Sequence, residues 1–312
     1  MKVITSLEEL RSTDFSQGTV VAVGKFDGVH RGHRAIIDSL RGEATKHGLL
    51  SVVFTFSNNP LSYLNPTACP RPLSSPQQRL ELIEAEGIDY CVMVEFNQAI
   101  AQIPAEQFVD DLLVEVLHAK HVLLGTDFRF GHLGKGDAAM LRERGANQGF
   151  SVDVVEKVTD VARGAVSSSR IREAVGAGDV ALAGEMLGRT YSVRGTVVHG
   201  DARGRELGFP TANLGDVEGL IPADGVYAGS VVIDEVERVA AISVGVNLTF
   251  DPQGEPRVEA FVLDFEGDLY GKEIVVRFAE RIRPMLPFES AEALIARMHD
   301  DVAETRALLD RR

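Results

Sequence analysis

The sequence predicts two domains of different class: an α/β domain on a parallel sheet, then an antiparallel β barrel or sandwich closed by a helix. Three observations predict this. In the first half, short β-rich apolar runs alternate with helical patterns, as in parallel sheets whose crossover helices cover both faces. After Leu187 the texture changes to Val-rich, roughly alternating segments punctuated by Gly, Pro and Asp. The length, 312 residues, is enough for two domains that each bury a core.

In order, strands are expected at about 19–23 (TVVAV), 51–56 (SVVFTF), 90–94 (YCVMV), 120–124 (KHVLL) and 151–156 (SVDVVE), with helices near 32–47, 76–87, 105–118 and 137–148. Two short helices follow near 169–177 and 179–187, split around Gly178. The second set of strands falls near 191–199, 225–233, 237–246, 257–265 and 273–282. A last amphipathic helix fits 290–310, with Ala291, Leu294, Ile295, Met298, Val302 and Leu308 on its apolar side. The boundary lies near 185–190, giving domains 1–187 and 188–312.

Hydrophobic residues make up 45% and charged residues 25%, the balance of a globular chain. A formal net charge of −14 repels polyanions, so neither nucleic acid nor an anionic membrane is an expected partner. No apolar run approaches ~20 residues and no signal pattern opens the chain, so a cytoplasmic protein is expected. The two cysteines, Cys69 and Cys91, give neither a disulfide framework nor zinc-ligand spacing.

The segment VVAVGKFDGVHRGHRAII runs from a strand through a glycine-bearing turn into a helix. Gly24 and Gly28 allow close backbone approach, and His30 and His33 lie three apart on one helical face. Unpaired N–H groups at such a helix start can hold phosphate oxygens, and two imidazoles add donors for charge developing on a transferring phosphate. An isolated HxGH equally describes a tight turn with surface histidines; the strand and the GKFDG loop favour the phosphate site. In VSSSRIREAV, Ser168 and Ser169 are either plain caps or, with Arg172, a second grip on phosphates. LLGTDFRFGHLGKGD, with Asp127, suits a loop over a nucleotide or an ordinary surface loop.

The second half begins with YSVRGTVVHGDARGRELGFPTANL, whose Gly200, Gly204 and Gly208 make a close-approach flap or a plain Gly-rich hairpin. Thr211 and Asn213 offer hard oxygen ligands suited to Mg²⁺ on ATP phosphates. In RVEAFVLDF, alternation places Glu259 beside Phe261, Leu263 and Phe265, either at a solvated edge or held for proton transfer.

GKFDGVHRGH, then GTDFRFGHLGKGD, then VSSSRIRE closely resembles the adenylyltransferase module of bacterial bifunctional riboflavin kinase/FMN adenylyltransferases. GxxxGxxLGxPTAN at 200–213, PADGVYAG, RVEAFVLDF and GDLYGKEIVVRF resemble their kinase module. The resemblance implies a Rossmann-like HxGH nucleotidyltransferase followed by a six-stranded barrel kinase. It also implies MgATP, riboflavin, FMN and FAD as substrates or products, at an oligomeric state the sequence leaves open. His30 and His33 would stabilise phosphates, while Gly24, Lys25, Phe26, Asp27, Asp127, Ser168, Ser169 and Arg172 would hold the ATP of adenylyl transfer. Gly200, Gly204, Gly208, Thr211 and Asn213 would hold the kinase ATP, with the metal on Thr211 and Asn213. Glu259 would be the general base and Arg283 would lie at the flavin.

The sequence departs from the family pattern at SNNP (Ser57–Pro60), at Ser169 in place of Thr, at Leu248 in place of Pro, and at Met285 and Pro287, where an acid and a base are usual. These changes leave room for a chain with one activity, or for a flavin- or nucleotide-binding regulator. Retention of His30, His33, Arg172, Thr211, Asn213 and Glu259 together argues against the regulator.

Overall fold

The computed structural model describes residues 1–160, 164–200, 204, 207–246 and 257–310. Leu248 and part of the predicted flap lie outside them. Two compact units result, Met1–Ser167 and Ser168–Arg312.

The first unit holds β1 (Lys2–Ile4), β2 (Thr19–Val23), β3 (Leu50–Phe56), β4 (Tyr90–Val94), β5 (Ala119–Gly125) and β6 (Ser151–Val155) in one sheet, ordered β1-β4-β3-β2-β5-β6. All five pairings are parallel. Successive side chains of a strand point to opposite faces, and here both faces are buried. Val21, Val23, Val52, Phe54, Val92 and Val122 feed one core, whereas Val20, Ala22, Val53, Cys91 and Leu123 feed the other. This is the doubly covered sheet that the apolar runs predict. The edge strand β1 escaped the sequence reading because three residues carry no readable period.

The helices Arg31–His47, Pro76–Glu84 and Ala138–Gln148 fall close to their expected places. The expected helix at 105–118 is instead a short α turn, Ala105–Gln107, running into a π-helical stretch, Phe108–Val116. Strand order reverses at β2: β3 and β4 lie on one side of it, β5 and β6 on the other. Open parallel sheets bind ligands at the carboxyl ends of the strands where this reversal occurs. GKFDGVHRGH follows β2 and GTDFRFGHLGKGD follows β5, so the fold sets both motifs at that edge. A separate antiparallel pair, β7 (Thr159–Asp160) and β8 (Gly164–Ala165), ends the unit.

The second unit is a closed barrel of β9 (Tyr191–Val198), β10 (Ala212–Glu218), β11 (Gly225–Ile233), β12 (Val236–Gly245), β13 (Arg257–Val262) and β14 (Glu273–Arg283), ordered β10-β13-β12-β11-β14-β9. Every pairing is antiparallel, including the closing one between β10 and β9. β10 was absent from the strands expected from periodicity. Its register shifts between Gly215 and Glu218, and Asp216 has φ 48°, so its residues do not alternate cleanly.

The helices Ser168–Ala177 and Val180–Leu187 pack with this barrel. Ala223 N donates to Val175 O at 3.2 Å, and Arg281 Nη1 donates to Ala177 O at 3.5 Å. The compact division at 167/168 therefore precedes the change of sequence texture at 187.

The final helix spans Ala291–Leu309, but its buried residues are Asp301 and Thr305. Ala291, Leu294, Ile295, Met298, Val302 and Leu308, expected as its inner side, are only half-buried. An ionic network lies on the same side. Asp301 accepts from Arg283 Nε at 3.0 Å and Nη2 at 2.7 Å, and Arg297 Nε lies 3.1 Å from the same carboxylate. Asp301 and Thr305 fall at helical spacing among these apolar residues, so the buried polar pair lies within the side that periodicity predicts.

Candidate active sites

The loop after β2 is built on strained backbone. Phe26 has φ 48° and Val29 φ 37°, both in the left-handed region that side-chain-bearing residues avoid. Such residues cost roughly 1–2 kcal/mol each and persist only where their surroundings hold them. Here the side chains do the holding. Phe26 is 0% exposed and packs in the core, and Asp27 is 8% exposed with its Oδ1 accepting from Leu73 N at 2.9 Å. Both were expected to line a nucleotide. Their side chains turn inward, so any contact they make with a nucleotide runs through the loop backbone, beside the exposed Lys25.

His30 is not inside the helix but caps it: its Nδ1 accepts from His33 N at 3.3 Å. One of the N–H groups expected to meet phosphate is therefore satisfied internally. The two rings stack at 3.7 Å with an interplanar angle of 12°, and the Phe26 ring lies 5.1 Å from that of His33. Gly32 sits under this stack, where a Cβ would come within 3.1 Å of the His30 ring. The spacing H-x-G-H thus has a steric reason: the glycine leaves room for the ring that caps its own helix.

Asp127, after β5, is exposed and paired with Lys157. The rest of that loop is tied down. His132 N donates to Ile103 O at 2.7 Å, Arg129 pairs with Asp137 at 2.9 Å, and Phe130 bridges Gly136. In the second unit, Ser168 and Ser169 are the first two residues of the helix Ser168–Ala177, with Arg172 half-buried one turn on.

The second cluster lies on the barrel. Asn213 pairs across the sheet with Glu259, and Glu259 in turn with Ser243. Strand β13 buries Val258, Ala260 and Val262, so Glu259 and Phe261 share its other, half-buried face. Alternation placed Glu259 with Leu263 and Phe265 as well, but the strand ends at Val262 and turns at Asp264, whose φ is 55°. Because β13 is flanked by β10 and β12, Glu259 is not at a sheet edge.

Thr211 Oγ1 donates to Glu259 Oε2 at 3.2 Å. Asn213 is 9% exposed, and among the described residues its buried Oδ1 has no hydrogen-bond partner. A buried acceptor without a donor costs free energy unless a ligand completes it. Gly200 passes so close that a Cβ there would lie 2.6 Å from the Asn213 carboxamide. Of the other flap glycines, Gly204 is half-buried and Gly208 exposed.

Phe209 continues this wall, its ring 5.2 Å from Phe261 and 5.0 Å from His299 of the final helix. Ser243 Oγ donates to Met285 Sδ at 3.7 Å, so the residue that replaces an expected acid borders the strand pair carrying Glu259. Arg283, expected at the flavin, is committed to Asp301, to Pro284 O at 3.1 Å and to the face of Phe288 at 5.6 Å.

Sequence reading brought together His30 with His33, and Thr211 with Asn213 and Glu259. It missed Arg79, Ser74 and Thr55, which grip the first loop, and Asp301, which grips Arg283. No motif marks these residues; only their contacts do. Among the described residues no group of three or more His, Cys, Asp or Glu forms a metal cluster, and no helix is long and apolar enough to cross a membrane.

Comparison with known proteins gives two family matches. The family described as FAD synthetase matches residues 12–170, and the one described as riboflavin kinase matches residues 187–309. A bifunctional riboflavin kinase/FMN adenylyltransferase of Pseudomonas fluorescens is 38% identical over 99% of this chain and 98% of its own. The protein of that name from Listeria monocytogenes is 37% identical over 92% and 91%, and that from Escherichia coli K12 is 34% identical over 98% and 97%. A crystal structure from Streptococcus pneumoniae, described as a macrolide-efflux protein, matches with TM-score 0.86 at 33% identity, covering 98% of this chain and 99% of that one.

Proposed function

This chain belongs to the bifunctional riboflavin kinase/FMN adenylyltransferase family, and from that premise we propose which residues carry each step. The observation that supports the reading is that each family-matched stretch holds its own polar cluster: the stacked His30–His33 pair in one, Thr211–Glu259 with the buried Asn213 Oδ1 in the other.

Residues 188–312 phosphorylate riboflavin. Glu259 takes the proton of the ribityl 5′-hydroxyl as that oxygen attacks the γ-phosphorus of ATP; the bond to the bridging oxygen breaks and ADP leaves. The flap carrying Gly200, Gly204 and Gly208 lies over the phosphates. Thr211 and Asn213 fit a Mg²⁺ ion, since both offer hard oxygens and among the described residues the buried Asn213 Oδ1 has no hydrogen-bond partner. When bound, such an ion neutralises charge on the ATP phosphates. Arg283 bounds the flavin end, where its ion pair with Asp301 holds the final helix.

Residues 1–187 adenylylate the product. A phosphate oxygen of FMN attacks the α-phosphorus of ATP, the bond to the pyrophosphate oxygen breaks, and FAD and pyrophosphate result. His30 and His33 donate to the phosphates as charge grows there, and the Gly24–Asp27 backbone with Lys25 positions the nucleotide. Asp127 adds to the grip on ATP, and the motif assigns Ser168, Ser169 and Arg172 to ATP as well. No covalent enzyme intermediate is required. Use of ATP in both steps supports a cytoplasmic site of action.

A chain with adenylyltransferase activity alone is the second reading, favoured by the apolar Met285 against Ser243. One experiment decides. Purified protein is incubated with riboflavin and MgATP, without FMN, and the flavins are separated. FAD supports both assignments. No product from riboflavin, but FAD from supplied FMN, overturns the kinase.

A further inference from the structure

A cation that no motif announces sits under the loop after β2. Arg79 lies on the helix Pro76–Glu84 and is 5% exposed. Its Nη1 donates to the carbonyl of Lys25 at 3.2 Å and to that of Phe56 at 2.6 Å. Lys25 lies two residues past the end of β2 and Phe56 is the last residue of β3, the two strands that carry the GKFDG and SNNP loops. Thr55 Oγ1 donates to the same Lys25 carbonyl at 3.1 Å. Burial pushes the guanidinium pKa down while the nearby Asp27 carboxylate pushes it back up.

The stretch leading into that helix makes two more contacts to the loop. Leu73 N donates to Asp27 Oδ1 at 2.9 Å, and Gly28 N donates to Ser74 Oγ at 3.2 Å. Ser75 then opens the helix with a reciprocal capping box to Gln78, so the segment delivering these groups is itself fixed. Between the clamped positions lie Phe26 and Val29, whose left-handed backbone would relax if released.

We infer that Arg79 is a positioning residue for adenylyl transfer: by holding the Lys25 and Phe56 carbonyls it keeps the strained nucleotide loop in the conformation that receives ATP. This rests on the placement of adenylyl transfer at the His30–His33 loop. Arg79 touches no substrate itself. Loss of its bonds frees the loop to take conformations that must be reversed on binding, so the defect falls on ATP and not on FMN.

The test uses the full chain, whose kinase reaction serves as an internal control for folding. Arg79→Met keeps the stem and removes the donors. It is expected to raise the KM for ATP in FAD formation about 10-fold and to lower kcat, with the KM for FMN and the rate of FMN formation unchanged. Arg79→Lys retains charge and a donor and is expected to recover most of the loss. Should Arg79→Met fail to fold, Thr55→Val, which removes the second donor to the Lys25 carbonyl, is expected to shift the same KM in the same direction by a smaller factor.

A fall in kcat that tracks the folded fraction, with both KM values constant, would reduce Arg79 to a stability element and overturn the inference. Failure of lysine to rescue would do the same. His33→Ala separates this from the parent assignment. If that variant forms FAD normally, the placement of adenylyl transfer is wrong; if it is inactive while Arg79→Met is normal, only the brace is wrong.

Discussion

The two clusters are built on opposite plans. Around His30 and His33 the structure is closed on itself: strained backbone held by Asp27, Ser74, Thr55 and Arg79, and a histidine that caps its own helix. Around Asn213 the contacts are between side chains of neighbouring strands: Thr211 donates to Glu259, Gly200 passes within contact range of the carboxamide, and among the described residues the buried Asn213 Oδ1 has no hydrogen-bond partner. The first plan invests in backbone geometry before any ligand arrives. The second sets its polar side chains on adjacent barrel strands. Charge stabilisation of a transferring phosphoryl or adenylyl group depends on positioned donors in either case, but the two sites should respond differently to substitution.

The largest separation is expected from Glu259→Ala. Loss of a general base lowers FMN formation by about 10²–10⁴-fold, while FAD formation from supplied FMN stays at the parent rate. Equal damage to both reactions would end the claim that the clusters act separately. Next comes Asp301→Ala, which strands the buried Arg283 guanidinium. Breaking such a pair costs ~3–5 kcal/mol, so the unfolding transition of the barrel should move to lower urea while that of the parallel-sheet unit stays. A single, unshifted transition would show that the final helix is held by something else.

His33→Ala reverses the Glu259 pattern. Removal of one donor to a developing phosphate charge lowers FAD formation by about 10²–10³-fold, and FMN still accumulates from riboflavin. FAD formation at the parent rate would remove the imidazole from the chemistry. The smallest expected effect is that of Gly200→Ala. A Cβ 2.6 Å from the Asn213 carboxamide must displace either the flap or the amide. Misplacement on the scale of an ångström costs up to ~100-fold, confined to the kinase. An unimpaired Gly200→Ala kinase would mean that the flap swings clear of Asn213 during turnover.

The legibility of the fold followed the strength of each period. The strands at 19–23 and 90–94 coincide with their apolar runs because both faces of the sheet are buried and all residues after Thr19 and Tyr90 are apolar. β10 was hidden by Gly215, Asp216 and a register shift, and so read only as a run of polar ligands. The final helix was placed correctly from its periodicity, yet its buried residues are Asp301 and Thr305. Periodicity found the element and its inner side, but could not show that Asp301 and Thr305 are the most buried residues on that side, because their burial depends on partners elsewhere in the chain.

The same divide runs through the sites. The chain alone determined which residue types recur at which spacing: HRGH after a strand, PTAN after a glycine-rich stretch, a glutamate in an alternating run. Those are local facts, since backbone periodicity and chain neighbours fix them. Only the tertiary structure decided that Phe26 and Asp27 serve the loop from inside, that Glu259 lies mid-sheet beside Thr211, and that Arg283 is engaged by Asp301. It alone placed Arg79 beneath Lys25, 54 residues away in sequence. Desolvation and partner geometry decide what a polar side chain does, and both come from residues distant in the chain.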